Sequence, residues 1–117
     1  MADLEDFRVL YEAFNRRDID AVLAMMSRDV DWPNAWKGGR LTGREAVREY
    51  LTAQWAEIDP AVDPASVTER ADGSPAVRVR QVVRSSDGEL LAEGELVHVY
   101  RMRDGLIERM DVEEAEQ

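Results

Sequence analysis

The spacing of apolar residues is mainly helical in the first half of this chain and alternating in the second, and that division limits the fold more than any other feature. Up to about Ile58 the apolar positions recur mainly at helical intervals; beyond Pro64 they alternate, and the alternating runs are parted by Asp-Gly turns. Leu4, Phe7, Leu10, Tyr11 and Phe14 make the stripe of a first amphipathic helix, with Asp3 as its N-cap. Asn15-Arg16-Arg17-Asp18 breaks the stripe, and Asp18 caps a short second helix carrying Ile19, Val22, Leu23 and Met26. Val30, Trp32 and Asn34 then alternate with Asp31 and Pro33, a short strand that Pro33 confines to an edge or a bulge. Ala35–Arg40 reads as a mobile loop. Thr42 and Glu45 form a capping box opening a third helix with Val47, Tyr50, Leu51, Trp55 and Ile58 on one face, and Pro60 and Pro64 end it.

The second half reads as strands. A weak one surrounds Val67–Arg70 and turns at Ala71-Asp72-Gly73; Ala76–Arg84 follows with Val77, Val79, Gln81 and Val83 on one face. Ser86-Asp87-Gly88 is a hairpin turn into Leu90–Met102, long enough to be a curved strand with Gly94 at a bulge or bend. Arg103-Asp104-Gly105 turns into a last strand, Leu106–Val112, and an acidic tail follows. The order α-α-β-α-β-β-β-β, with hairpin connections dominating, is the α+β class with an antiparallel or mixed sheet.

At 117 residues one domain is expected, spanning 1–117. Twenty-five acidic residues against fifteen basic ones give a net charge of −10, a field that repels phosphate backbones and anionic lipid; nucleic-acid and membrane partners are not expected. Cysteine is absent, which removes disulfides, thiolate nucleophiles and Cys-based metal sites and permits a cytoplasmic location. The acidic N-terminus MADLEDFRVL has no signal-peptide pattern, and no apolar run nears the ~18 residues of a membrane span, so the chain is expected to be unprocessed and soluble. One histidine, with no HxH, HExxH or DxDxDG pattern, gives no metal motif, and no GxGxxG, P-loop or GxSxG supports a nucleotide cofactor or a serine hydrolase; no cofactor is expected.

Four segments carry a resemblance: Tyr11-Glu-Ala-Phe-Asn15 with Arg17-Asp18-Ile19-Asp20, then Ser27-Arg-Asp29-Val-Asp31-Trp32, Thr42-Gly43-Arg44-Glu45-Ala46-Val47, and His98-Val-Tyr100-Arg101 with Asp104-Gly105-Leu106-Ile107. Together with the element order, they make the chain similar to the nuclear transport factor 2-like superfamily, whose members include ketosteroid isomerase, scytalone dehydratase and the SnoaL-like polyketide cyclases. The resemblance implies a cone, a curved sheet wrapped around three N-terminal helices. Its ketosteroid-isomerase branch implies a carboxylate base on the first strand, with a Tyr on the first helix and an Asp on the long strand holding the oxyanion. This chain departs from that plan. The base position falls on Asn34, the oxyanion acid on His98, and the helix Tyr on Leu10 with Tyr11 beside it. A steroid isomerase of the familiar type is therefore disfavoured.

Period two places Leu96, His98, Tyr100 and Met102 on one face of the long strand. If that face is concave, His98 enters the cavity, and its ordinary pKa near ~6.5 suits it to proton transfer at neutral pH. A core histidine satisfied by hydrogen bonds is the alternative. Tyr11, Trp32, Asn34, Tyr50, Gln81 and Tyr100 are the candidate substrate-binding residues, an apolar slot with a few polar groups. Trp32 and Trp55 as plain core and Asn34 as a turn residue are the competing readings, while a buried Gln81 needs a partner. Trp36 with Lys37-Gly-Gly-Arg40 is a candidate lid. Arg78, Val82 and Arg84, with Val97, Val99 and Arg101, form an outer face suited to a homodimer. The expected function is that of a pocket protein resembling SnoaL-like proteins, acting on a hydrophobic carbonyl compound by cofactor-free isomerase, cyclase or dehydratase chemistry. A non-catalytic ligand-binding or dimerisation module remains the alternative.

Overall fold

Asp18 stops one helix and starts the next: its carboxylate accepts the Ala21 N–H at 3.1 Å, while Arg17 before it takes a left-handed φ of 62°. The computed structural model describes residues 4–34 and 37–115, so the expected N-cap Asp3 and the lid residue Trp36 lie outside the described residues. The elements are α1 (Leu4–Asn15), α2 (Ile19–Ala24), β1 (Met26–Pro33), β2 (Arg40–Thr42), α3 (Arg44–Glu57), β3 (Ile58–Glu69), β4 (Pro75–Ser85), β5 (Leu90–Arg103) and β6 (Leu106–Glu114). The strands form one curved, unclosed sheet in the order β2-β1-β6-β5-β4-β3, antiparallel throughout except for β1 beside β6. The α+β class and the element order are as the residues and the resemblance indicate. Among the described residues no helix is long and apolar enough to cross a membrane.

The local departures have physical causes. Met26 was expected on α2 but begins β1, where it is fully buried and pairs with Ile107 of β6. Thr42 does not cap α3. It belongs to β2 opposite Asp31, and Gly43 is the N-cap at φ 94°, giving its N–H to Val30 O at 2.8 Å. A β-carbon here has only the Arg28 carbonyl in range, at 3.8 Å, so the positive φ and not crowding favours glycine. The loop after β1 is a short hairpin closed by Asn34, whose N–H bonds Gly39 O at 3.0 Å.

Pro60 and Pro64 do not merely end a helix, since α3 stops at Glu57 and both prolines lie inside β3. β3 is an edge strand, and the Asn15 side chain binds the Val62 N–H and C=O at 2.9 Å each, standing in for a missing strand partner. Pro60 and Pro64 share the parity of Val62, so their nitrogens face the edge where no ladder donor is needed. Gly94 is not at a bulge: the β4–β5 register runs unbroken through Gln81 opposite Gly94, and the irregularities sit at Val83/Arg84 and Arg101/Met102. At the second, β6 carries the extra residue Glu108, and Met102 beyond it pairs with buried Ile107 yet is 38% exposed near the end of β5. Asp104 and Gly105, at φ 54° and 82°, form the two-residue turn that matches strand twist.

The helices cover the inner face. Phe7, Leu10 and Tyr11 of α1, Val22 and Leu23 of α2, and Val47 and Leu51 of α3 pack in one core with Val77, Val79, Tyr100, Ile107 and Met110 of the sheet.

Candidate functional site

The same inward alternation that builds the core leaves a hollow where the side chains do not meet. A cavity of about 170 Å³ lies between α1, α3 and the concave face, its wall mostly apolar through residues such as Leu10, Phe14, Trp32, Leu51, Val62 and Met110. Val112, 41% exposed, stands at its mouth, while Tyr100 at 1% and His98 at 8% lie deep. Polar atoms come from Tyr11, Tyr50, Gln54, Gln81, His98 and Tyr100; none of the described lining residues is a carboxylate, a lysine or an arginine.

At depth three polar groups share two short hydrogen bonds. Tyr11 Oη lies 2.8 Å from His98 Nδ1 and 2.7 Å from Tyr100 Oη. Each phenol has one proton to give. If Tyr100 donates to Tyr11 and Tyr11 donates to Nδ1, every group in the chain is satisfied and the imidazole keeps its proton on Nε2. The reverse direction leaves the Tyr100 O–H buried with no second partner among the described residues, at a cost of about 1–3 kcal/mol. The first direction therefore prevails. Among the described residues the one sealed polar side-chain atom without a partner is Trp55 Nε1, so His98 Nε2, which also has none, is reached through the cavity. At its deep end the site presents the imidazole N–H to whatever enters.

Burial sets the charge state. Desolvation pushes His98 down to about 4, so the ring is neutral at pH 7. Burial, and then the neighbouring Tyr100, holds the Tyr11 phenol well above its ordinary range, and burial raises Tyr100 as well. In this environment the imidazole does not keep the ordinary pKa that suits an acid and base at neutral pH. What the geometry offers instead is a fixed, neutral donor.

The other expected residues divide. Trp32, Tyr50 and Gln81 line the cavity together with Tyr11, His98 and Tyr100. Gln81 is half-buried, and its side-chain amide has no partner among the described residues. Asn34 is not part of the wall: β1 ends at Pro33, and the Asn34 Oδ1 accepts the Lys37 N–H at 2.9 Å inside the β1–β2 turn. Trp55 is outside the wall too, packed edge-on to Phe14 at 5.3 Å beneath the Arg17 guanidinium. Sequence reasoning missed Gln54, which donates to Tyr50 Oη at 3.1 Å; its i+4 spacing from Tyr50 on α3 was the available signal. It also missed Pro60 and Val62, hidden because β3 begins earlier than the alternation shows. Among the described residues no group of three or more His, Cys, Asp or Glu is placed to hold a metal ion.

The comparisons with known proteins agree with this architecture. The sequence profile of the SnoaL-like domain matches residues 7–110. Among solved structures, TerC co-crystallised with polyporic acid superposes with a TM-score of 0.80 at 27% identity, covering 96% of this chain and 90% of that one. A nuclear transport factor 2-like protein of unknown function from Burkholderia pseudomallei gives 0.80 at 25%, over 96% and 89% of the two chains. A putative polyketide cyclase from Xanthomonas campestris gives 0.71 at 26%, over 92% and 86%. A search of curated proteins by sequence returns no match.

Proposed function

The chain belongs to the SnoaL-like domain family, and from that premise we propose that its cavity binds a small, flat, largely apolar molecule through a carbonyl oxygen that accepts the His98 Nε2–H. The observation that carries this is the hydrogen-bonded chain from Tyr100 through Tyr11 to His98 Nδ1, which leaves the His98 Nε2–H facing a mostly apolar wall at the deep end of the cavity. A fixed donor in a desolvated pocket stabilises charge developing on oxygen, as in an enolate, without reorganising. That is the demand of cofactor-free isomerase, cyclase and dehydratase chemistry, and the similarity to TerC and to the putative polyketide cyclase supports a small-molecule role of this kind. The volume suits a modest ligand: an engineered apolar cavity of about 150 Å³ takes benzene, and the open mouth gives room beyond that.

The test compares 2-acetonaphthone with 2-ethylnaphthalene, which lacks the carbonyl, by calorimetry. The ketone is expected to bind about tenfold more tightly, and His98→Phe to abolish the difference. Equal affinities for the wild-type protein would refute the reading. A binding role without turnover is favoured by one observation, the lack of any carboxylate among the described lining residues, which leaves no ordinary base beside the carbonyl. Deuterium exchange into the methyl ketone's α-position separates the two: catalysis predicts exchange above buffer, binding alone none.

We further propose that the chain, residues 1–117 as one domain in a cytoplasmic setting, forms a homodimer through the outer face of β4 and β5. There half-buried Val82, Val97 and Val99 sit among the pairs Arg78 with Glu95 and Arg80 with Glu93. Sedimentation of Val97→Glu, expected to be monomeric, tests it; an unchanged dimer, or a monomeric wild type, contradicts it.

A further inference from the structure

Gln81 is the second polar element of the cavity, and its placement specifies more of the ligand than His98 does alone. His98 opposes Val77 on β4, and Gln81 lies four residues along the same strand on the same face. Four residues of strand span ~13 Å. Between the two polar groups the inner face is apolar, since Val79 of β4 is fully buried and pairs with the inward Leu96 of β5. A separation of this order along the sheet, bridged by a hydrogen bond at each end, matches an elongated two-ring body with an oxygen at either end.

The floor beside Gln81 is open. Its neighbour across the ladder is Gly94, in regular strand pairing with no positive φ to call for a glycine, and a β-carbon built there would meet nothing within 4 Å. A hollow of about 200 Å³ lies at this point, sharing Gln81 and Leu96 with the main cavity. A partly buried amide with no partner among the described residues thus stands where the two spaces join, and an unpaired amide is costly unless water or a ligand meets it.

We propose that the ligand is an elongated two-oxygen molecule, its carbonyl on His98 and a second oxygen, hydroxyl or carbonyl, at its far end on the Gln81 amide, with that end passing over Gly94. Gln81 then selects by length and polarity at a point remote from the reacting carbonyl. This assignment rests on the carbonyl-binding reading above and is tested separately from it.

The experiment measures the affinities of 2-acetonaphthone and 6-hydroxy-2-acetonaphthone, which differ only by a hydroxyl at the end opposite the ketone. The hydroxylated ketone is expected to bind the wild-type protein about tenfold more tightly. Gln81→Met, close to isosteric, should bring the ratio to about one. Gln81→Glu keeps an acceptor and should raise the ratio, which keeps the test decisive should Gln81→Met fail to fold by circular dichroism. Gly94→Leu, built into open space, should fill the hollow and weaken the hydroxylated ketone more than the plain one. A wild-type ratio near one, or a ratio unmoved by the Gln81 variants, overturns the proposal while the preference for 2-acetonaphthone over 2-ethylnaphthalene still stands. Failure of both ketones to bind removes the carbonyl reading and this assignment with it.

Discussion

Two polar clusters stand on opposite faces of the same sheet, and they handle charge in opposite ways. On the inner face Tyr11, His98 and Tyr100 are buried and linked through two hydrogen bonds. On the outer face, from β1, β2 and β6, Asp31, Arg40, Arg109 and Asp111 form a charged quartet: Arg109 reaches Asp31 and Asp111 at 2.8 Å each, and Arg40 pairs with both acids. The side chains of the quartet keep between 31% and 41% of their surface in water, so their mutual attractions are screened. Inside, desolvation is the largest influence on every group and removes charge. In this sheet a residue's parity decides whether it serves as a neutral donor or a solvated ion, and the two clusters should differ in energy, in pH window and in salt response.

The largest effect should come from Tyr11→Phe, which deletes the middle of the inner chain and strands both His98 Nδ1 and the Tyr100 O–H. At ~1–3 kcal/mol for each unsatisfied group, a loss of about 4 kcal/mol is expected in urea unfolding; a loss below ~1 kcal/mol would mean that the chain is not sealed.

Next in size is acid. His98 has a folded pKa of about 4 against the ordinary 6.5, so below pH 6.5 the unfolded chain binds a proton that the folded one refuses. Stability is full above that value, falls as pH drops through the window, and by pH 4 has lost about 3 kcal/mol on this account. The difference between wild-type protein and His98→Gln across the window isolates it. Asp111 acts lower: Arg109 holds its carboxyl below the ordinary 3.8, so the outer quartet gives up stability only under still more acidic conditions. Coincident windows for the two clusters would break the contrast.

Arg40→Met should cost about 1.5 kcal/mol, because Arg40 also donates to Met110 O at 2.6 Å and to Asp31 O at 3.2 Å, tying the one parallel strand pair together. Asp111→Asn should be smallest, about 0.5 kcal/mol and vanishing at ~1 M salt, as befits an exposed pair. A salt-insensitive loss of several kcal/mol there would contradict the assignment of the two faces.

Much of the fold was legible because period and turn chemistry are local. Asp18, the Asp-Gly turn at 104 and 105 and the alternation of Val77, Val79 and Gln81 act through neighbours in sequence and emerge where the pattern puts them. Long-range substitution was not legible. Nothing local shows that Asn15 will occupy the edge at Val62 and let two prolines sit in a strand, or that Met102 will be left exposed beside buried Ile107. The inward direction of His98 follows from parity alone, but its charge state does not, because that depends on burial under a helix layer distant in sequence, where Tyr11 is 87 residues away in the chain. Asn34 was misplaced for a simpler reason: alternation does not reveal that the strand ends one residue before it.

His98 is the chain's single histidine, so nitrogen-15 NMR of the imidazole yields one unambiguous pair of signals. The account predicts a protonated Nε2 and an unprotonated, hydrogen-bonded Nδ1 at pH 7, with the pattern unchanged down to about pH 5. A ring that titrates near pH 6.5, or one that carries its proton on Nδ1, would contradict the claim that burial and two tyrosines fix a neutral donor facing the cavity.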